Sequence, residues 1–189
     1  GPGASASSKT IAEHLKEGFT AETTNGGRQN GDPLKAIAEA VKKVEAVYST
    51  PFLAHATMEP MNATARITAD KAEAWVPTQN AEASLAALSE ASGVPLPNCE
   101  VYRHDLGGGF GRRGGTQDYM HQAVAIAKEF PGTPVKLIWS REEDMAHDFY
   151  RPISQCKMSA GLDADGNLTG LHVRVSGQSI NAWLSPSRI

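Results

Sequence analysis

The apolar positions follow two periods, and the change between them divides the chain. Near the start, Ile11, Leu15 and Phe19 recur at helical spacing, so 11–19 reads as a short amphipathic helix. Asp32-Pro33 opens a second one through Ile37, Ala40 and Val41, with aspartate as the cap and proline at the first helical position. The polar, glycine-rich run Thr23–Gly31 between them reads as a mobile loop. From Val44 onward the pattern shortens to strand-like runs at 44–48, 63–68, 73–76, 100–103, 135–139, 154–162 and 168–176. Two helical stretches interrupt them, 81–92 with Leu85 and Leu88, and 118–130 with Val124 and Ala127. Gly93 and Gly132 stand where their C-terminal caps belong. Asp163-Ala164-Asp165-Gly166-Asn167 joins the last two runs as a hairpin turn. Strands with interspersed helices and a long terminal hairpin indicate an α+β fold rather than a doubly wound sheet.

Composition narrows the field. With 189 residues and 40% hydrophobic content, the chain can bury one substantial core or two small ones. Gly1–Ser8 looks like a protease-cut tag remnant or flexible leader and is set aside. No apolar run approaches the roughly 20 residues of a membrane span, and no signal-peptide pattern opens the sequence. A net charge of −3 gives no basic field, which argues against nucleic acid or an anionic membrane as partner. The two cysteines, Cys99 and Cys156, are far apart and the six histidines are scattered, so a zinc or iron–sulfur site held by this chain is not expected.

The most informative stretch is Gly107-Gly108-Gly109-Phe110-Gly111-Arg112-Arg113. Glycine reaches positive φ without steric cost and leaves its N–H unshielded, so such a loop can cradle an anion, and two guanidinium groups add positive charge. A plain mobile connector is the alternative. The spacing fits neither the P-loop nor the dinucleotide fingerprint, which argues against ATP or NAD. His55, Met58 and Glu59 are followed by Pro60 and lack a second histidine at helical spacing, so they form no zinc-protease motif. They read as a turn at a strand end, with Glu59 satisfying backbone donors or an arginine. Arg141, Glu142, Glu143 and Asp144 read as a solvated, charged strand-to-turn junction. The 163–167 turn has its glycine at the wrong position for a calcium loop and lacks the closing glutamate.

Several segments, in order and spacing, resemble one family. Pro51-Phe52-Leu53-Ala54-His55-Ala56-Thr57-Met58-Glu59-Pro60-Met61-Asn62, Trp75-Val76-Pro77-Thr78-Gln79-Asn80, the 107–113 loop, Trp139-Ser140-Arg141-Glu142-Glu143-Asp144-Met145 and Tyr150-Arg151-Pro152 resemble the large subunit of molybdenum hydroxylases, the family of xanthine oxidase and aldehyde oxidoreductase. Within it, they look most like the bacterial isoquinoline 1-oxidoreductase β-subunit and its aldehyde dehydrogenase relatives. The resemblance runs from about Val44 to Gln178.

What it implies is a mixed-sheet molybdopterin-binding domain, the first and partial, over 44–189, preceded by a helical linker at 9–43. Gln79 takes the part of a glutamine that hydrogen-bonds toward a molybdenum oxo ligand; from its position alone it could equally cap the 81–92 helix. Gly108, Gly109, Phe110 and Gly111 take the part of backbone that lies against the molybdopterin, with Arg112 beside them. Phe110 could also plug the loop onto the core. Where purine-specific members carry a glutamate after the loop, this chain has Gly114, which does not favour a purine. The family's catalytic glutamate and second cofactor domain have no counterpart here, so no catalytic residue and no direct metal ligand is assigned. The resemblance implies a complete enzyme that hydroxylates aldehydes or N-heteroaromatic compounds with water-derived oxygen and passes electrons to an iron–sulfur subunit. The isolated chain is expected to be inactive and free of cofactor. A non-catalytic binding or interaction module on the same scaffold is the alternative.

Overall fold

The computed structural model describes residues 3–184. Residues 1–2 and 185–189, part of the expected leader and the end of the expected domain, lie outside the described residues. The elements in chain order are α1 (Ser8–Glu17), α2 (Pro33–Glu39), β1 (Lys42–Thr50), β2 (Asn62–Ile67), β3 (Ala72–Pro77), α3 (Ala81–Ser92), β4 (Cys99–His104), α4 (Asp118–Lys128), β5 (Val135–Ile138), α5 (Arg141–Ala146), β6 (Ser154–Leu162), β7 (Leu168–Gly177) and α6 (Ile180–Leu184). The fold is α+β, as the order of elements indicated, and it forms two compact units. One is the chain up to Leu53 together with that from Arg151; the other is Ala54–Tyr150.

In the first unit, β1, β6 and β7 form an antiparallel sheet in that order. Asp32 caps α2 by accepting from Lys35 N at 3.0 Å, and Pro33 begins the helix. That helix sits on the sheet because Gly161 and Gly170, paired in register, give it room. A Cβ on Gly170 would stand 3.0 Å from Ala36 Cβ, and one on Gly161 2.7 Å from Ala40 Cβ. Gln155 Nε2 donates to Ala12 O at 3.1 Å, and Arg174 donates to the carbonyls of Phe19 and Ala21 just past α1. Asp163 closes the β6–β7 hairpin by accepting from the N–H groups of Asp165 and Asn167, with Gly166 at φ +86°.

The second unit holds a four-stranded sheet ordered β4-β3-β2-β5, in which β3 and β4 are parallel and the other pairs antiparallel. Parallel neighbours need a crossover, and α3 supplies it. One sheet face is built from alternate residues of β2, Ala63, Ala65 and Ile67, with Ala72, Ala74 and Val76 of β3. Against it pack Leu88 of α3 and Tyr119, Met120, Ala123, Val124 and Ala127 of α4. The many alanines on facing elements let the backbones approach closely, while Met61, Leu88, Tyr119 and Met120 fill the volume left. Asn80 caps α3 through Ala83 N, and Gly93 ends it at φ +78°.

Three local expectations are revised. Helix α4 ends at Lys128 with Glu129 as its cap, so Gly132 does not cap it. Instead Gly132, at φ +80°, donates to Ile67 O at 2.8 Å and ties the turn ahead of β5 to β2. The segment Arg141–Ala146 is helix α5, begun by Ser140 accepting from Glu143 N. Asp144 inside it is buried, so this charged run is only partly solvated.

On the other sheet face, Trp75 stacks on Tyr102 across β3 and β4, centroids 5.1 Å apart. Beside them Glu73 is buried and held by Arg66 and Lys71. Burial works to raise its carboxyl, but hydrogen bonds from Arg66 and Lys71 outweigh that and hold it below the ordinary carboxylate range. The folded state therefore binds this proton less tightly than the unfolded chain. The stabilisation is complete above the ordinary glutamate value of about 4.3 and is lost as pH falls through the lowered one. Glu73→Gln should flatten the fall in urea midpoint between pH 6 and 3; an unchanged slope would remove Glu73 from the account.

Candidate functional site

Three side chains hold the segment that leads into β2, and each comes from a distant part of the second unit. Asp148 accepts from His55 N at 2.5 Å and lies 3.0 Å from His55 Nδ1. Arg141 donates to the carbonyls of Thr57 and Met58 and pairs with Asp144 at 2.6 Å. Arg113 donates through Nη2 to Glu59 O at 2.7 Å and Pro60 O at 3.3 Å. The same guanidinium reaches Gly108 O through Nε at 3.0 Å and Pro77 O through Nη1 at 3.4 Å. Arg113 is fully buried, over the Tyr119 ring. Burial pushes the Tyr119 phenol up, against the pull of the arginines.

Glu59 answers from the other side. Its carboxylate accepts from Gly107 N at 2.9 Å and lies 3.3 Å from Arg113 Nη2, while its own N–H donates to Gly107 O. Glu59 thus satisfies both a backbone donor and an arginine, the structural role expected of it. A Cβ at Gly107 would collide with this side chain.

The loop and Gln79 are in direct contact although about thirty residues separate them. Gln79 Oε1 accepts from Gly111 N at 3.0 Å and Arg113 N at 3.3 Å, and its backbone N–H donates to Arg113 O. Two backbone donors on one oxygen fix which way the amide points, so the Nε2 group faces outward and has no partner among the described residues. Asn80, not Gln79, is the helix cap. Gly109 lies flat against this amide, since a Cβ there would come within 2.5 Å of Gln79 Oε1. Among the described residues the N–H groups of Gly108, Gly109 and Phe110 have no acceptor. Gly108 and Gly111 have φ of +100° and +104°, and Phe110, an L-residue, stands at +55°.

Phe110 is 71% exposed, so it does not plug the loop onto the core. Its left-handed backbone turns the ring outward. Arg112 also departs from expectation: its guanidinium is buried and forms a two-pronged pair with Asp118 at 2.9 Å, between the Trp139 and Phe149 rings. Its Nε lies 3.0 Å from Asp148 Oδ1 but off the N–H line, leaving that donor without a hydrogen bond. Both arginine charges are therefore matched inside the protein, and what the loop leaves unpaired among the described residues is backbone N–H and a neutral amide. The carboxylates that match Arg112 are not legible locally, because Asp118 and Asp148 carry no motif that ties them to the loop.

A glycine loop on an α+β frame, with N–H groups unpaired among the described residues beside the unpartnered amide nitrogen of Gln79, characterises the class. Comparison with known proteins gives the class a family. The model of the molybdopterin cofactor-binding domain matches residues 16–180, and the chain belongs to that family. Isoquinoline 1-oxidoreductase subunit beta of Brevundimonas diminuta is 35% identical over 136 residues, 69% of this chain and 17% of that protein. The membrane-bound aldehyde dehydrogenase [pyrroloquinoline-quinone] of Gluconacetobacter polyoxogenes is 31% identical over 137 residues, 72% of this chain and 18% of that protein. Among solved structures, quinoline 2-oxidoreductase from Pseudomonas putida 86 shares the fold with a TM-score of 0.61 at 21% identity, over 76% of this chain and 18% of that one. Aldehyde oxidoreductase from Desulfovibrio gigas does so with a TM-score of 0.56 at 19% identity, over 73% and 15%. The chain spans less than a fifth of the length of these relatives. The cofactor of the intact enzyme is molybdopterin. No helix among the described residues is long and apolar enough to cross a membrane.

The arrangement has two mechanical consequences. Arg113→Lys should lower stability by roughly 2–4 kcal/mol in urea denaturation, because an ammonium cannot reach Gly108, Pro77 and Glu59 together and buried carbonyls lose donors. Gly109→Ala should displace the Gln79 side chain, cost about 1–2 kcal/mol, and speed amide exchange at Gly111. Unchanged protection at Gly111 would show that Gln79 does not fasten the loop.

Proposed function

We propose that this chain forms one wall of a molybdopterin site in an oxidoreductase that hydroxylates aldehydes or N-heteroaromatic compounds with water-derived oxygen. The observation that supports it best is the row of three N–H groups, Gly108 to Phe110, without acceptors among the described residues beside the outward amide of Gln79. Such donors, fixed from behind and unpaired in front, suit the oxygen atoms of a bound cofactor. The residues present fit the group: Gly109 lets the Gln79 amide lie against the loop backbone, Gly108 and Gly111 supply the positive φ that the turn needs, and the N–H groups between them have no acceptor among the described residues.

When bound, molybdopterin supplies the metal and its two-electron redox chemistry. The chain supplies position. Gln79 holds the loop with its carbonyl and offers its amide N–H to a cofactor oxygen without adding charge. Gly108, Gly109 and Phe110 offer backbone N–H, Gly111 sets the turn, and Arg112 steadies the turn from inside through Asp118. An iron–sulfur subunit as electron acceptor and a second cofactor-binding domain as the opposite wall complete the proposed enzyme. A relative named as isoquinoline 1-oxidoreductase subunit beta supports this reading.

Gln79→Glu separates the two parts of that role, since a carboxylate still accepts from Gly111 and Arg113 but has lost the donor. Stability should change by less than about 1 kcal/mol, while affinity for molybdopterin released from a holoenzyme should fall roughly tenfold. Equal affinity would refute a donor role for Gln79. The chain loaded with molybdopterin should also fail to hydroxylate benzaldehyde or quinoline above a protein-free control, because these 189 residues supply only one wall of the proposed site; turnover would overturn that expectation.

A further inference from the structure

His55 stands next to the loop in a geometry that its role as a turn residue does not require. Its ring is nearly enclosed, with 11% of the side chain exposed, and Asp148, which holds it, is 2% exposed. Asp148 accepts from His55 N, and both its oxygens lie 3.0 Å from His55 Nδ1. It also accepts from Phe149 N at 2.8 Å and pairs with Arg112. A carboxylate so placed only accepts, so Nδ1 carries the proton, and in the neutral ring Nε2 is then a bare acceptor. That nitrogen has no partner among the described residues. It lies 4.0 Å from where a Gly111 Cβ would stand, and Gly111 is the residue whose N–H Gln79 binds. Gly111 is thus flanked by an amide that donates outward and an imidazole nitrogen that accepts.

We propose that His55 Nε2 is the acceptor of the loop site, so that the site selects an oxygen bearing a proton, such as a hydroxyl or a water, over a bare oxyanion. The protonated oxygen accepts from the loop N–H groups and the Gln79 amide and donates its own hydrogen to His55. An oxygen without a proton finds only the donors. The inference rests on the loop being a ligand site, and it adds the residue that reads the ligand's protonation. His55 acts here as a binding residue and transfers no proton.

Hydrogen phosphate and sulfate test it at pH 8, because both are tetrahedral dianions and differ by one O–H. Any repulsion from Glu59 falls on both alike. In nitrogen-resolved NMR of the 189-residue chain, His55 should be protonated on Nδ1 and bare on Nε2. Both anions should shift the Gly108–Phe110 amides, and hydrogen phosphate alone should shift His55 Nε2, binding about threefold to tenfold more tightly. His55→Phe should erase that preference while leaving sulfate binding unchanged. Protonation of Nε2 in the free chain overturns the proposal without any variant, and so does equal affinity for the two anions. If neither anion moves the loop amides, the loop is not an oxygen site and both readings fall together. Loop shifts without a His55 shift leave the loop site standing and remove His55 from it.

Discussion

The arrangement around the loop depends on one buried guanidinium. Arg113 gathers the carbonyls of Glu59, Pro60, Pro77 and Gly108, which come from three stretches of chain with no local reason to meet. An unpaired buried charge is costly, and a guanidinium with five directed donors is satisfied only when all these acceptors are in place. The requirement works in reverse as well. A chain that places the arginine correctly has also placed the strand ends and the loop.

Fastening from behind explains why the front of the loop can be unfavourable. Phe110 occupies a left-handed backbone region that costs an L-residue about 1 kcal/mol or more, and Ala56, at φ +43° in the facing segment, does the same. Three successive N–H groups go without acceptors among the described residues and a phenyl ring is exposed. None of these features stabilises the fold, and all persist because Glu59, Gln79, Arg112 and Arg113 over-determine the backbone between them.

Much of this was legible in the sequence and some was not. The bounds of α3 and β6, the Asp32-Pro33 helix start and the hairpin at 163–167 follow from spacing and turn chemistry that act over a few residues. Gln79 and the glycine loop could be joined only through resemblance, since nothing local says that positions 79 and 111 touch. In sequence the two arginines read as charge for a ligand, because a charged pair after glycines normally faces solvent. Their burial depends on Glu59, Asp118 and Asp148, and partners so dispersed leave no periodic trace. Helix α5 is not legible in sequence, because six residues with four charges look like surface turn until Ser140 and the Arg141–Asp144 pair are seen together.

The two units also differ in how the chain reaches them. The unit from Ala54 to Tyr150 is one continuous stretch, whereas β1 of the other finds its neighbour β6 only about a hundred residues later. The ends of the insertion meet within the first unit, where Leu53 and Arg151 exchange backbone hydrogen bonds of 3.3 and 2.9 Å. During synthesis the loop-bearing unit can therefore close while β1 is still unpaired, with no loop of its own to wait for beyond α3 and α4. Its folded form then holds residues 54 and 150 together and removes most of the entropy that joining Leu53 to Arg151 would otherwise cost. The unit that carries the glycine loop is in this sense the template on which the pairing of β1 with β6 is closed.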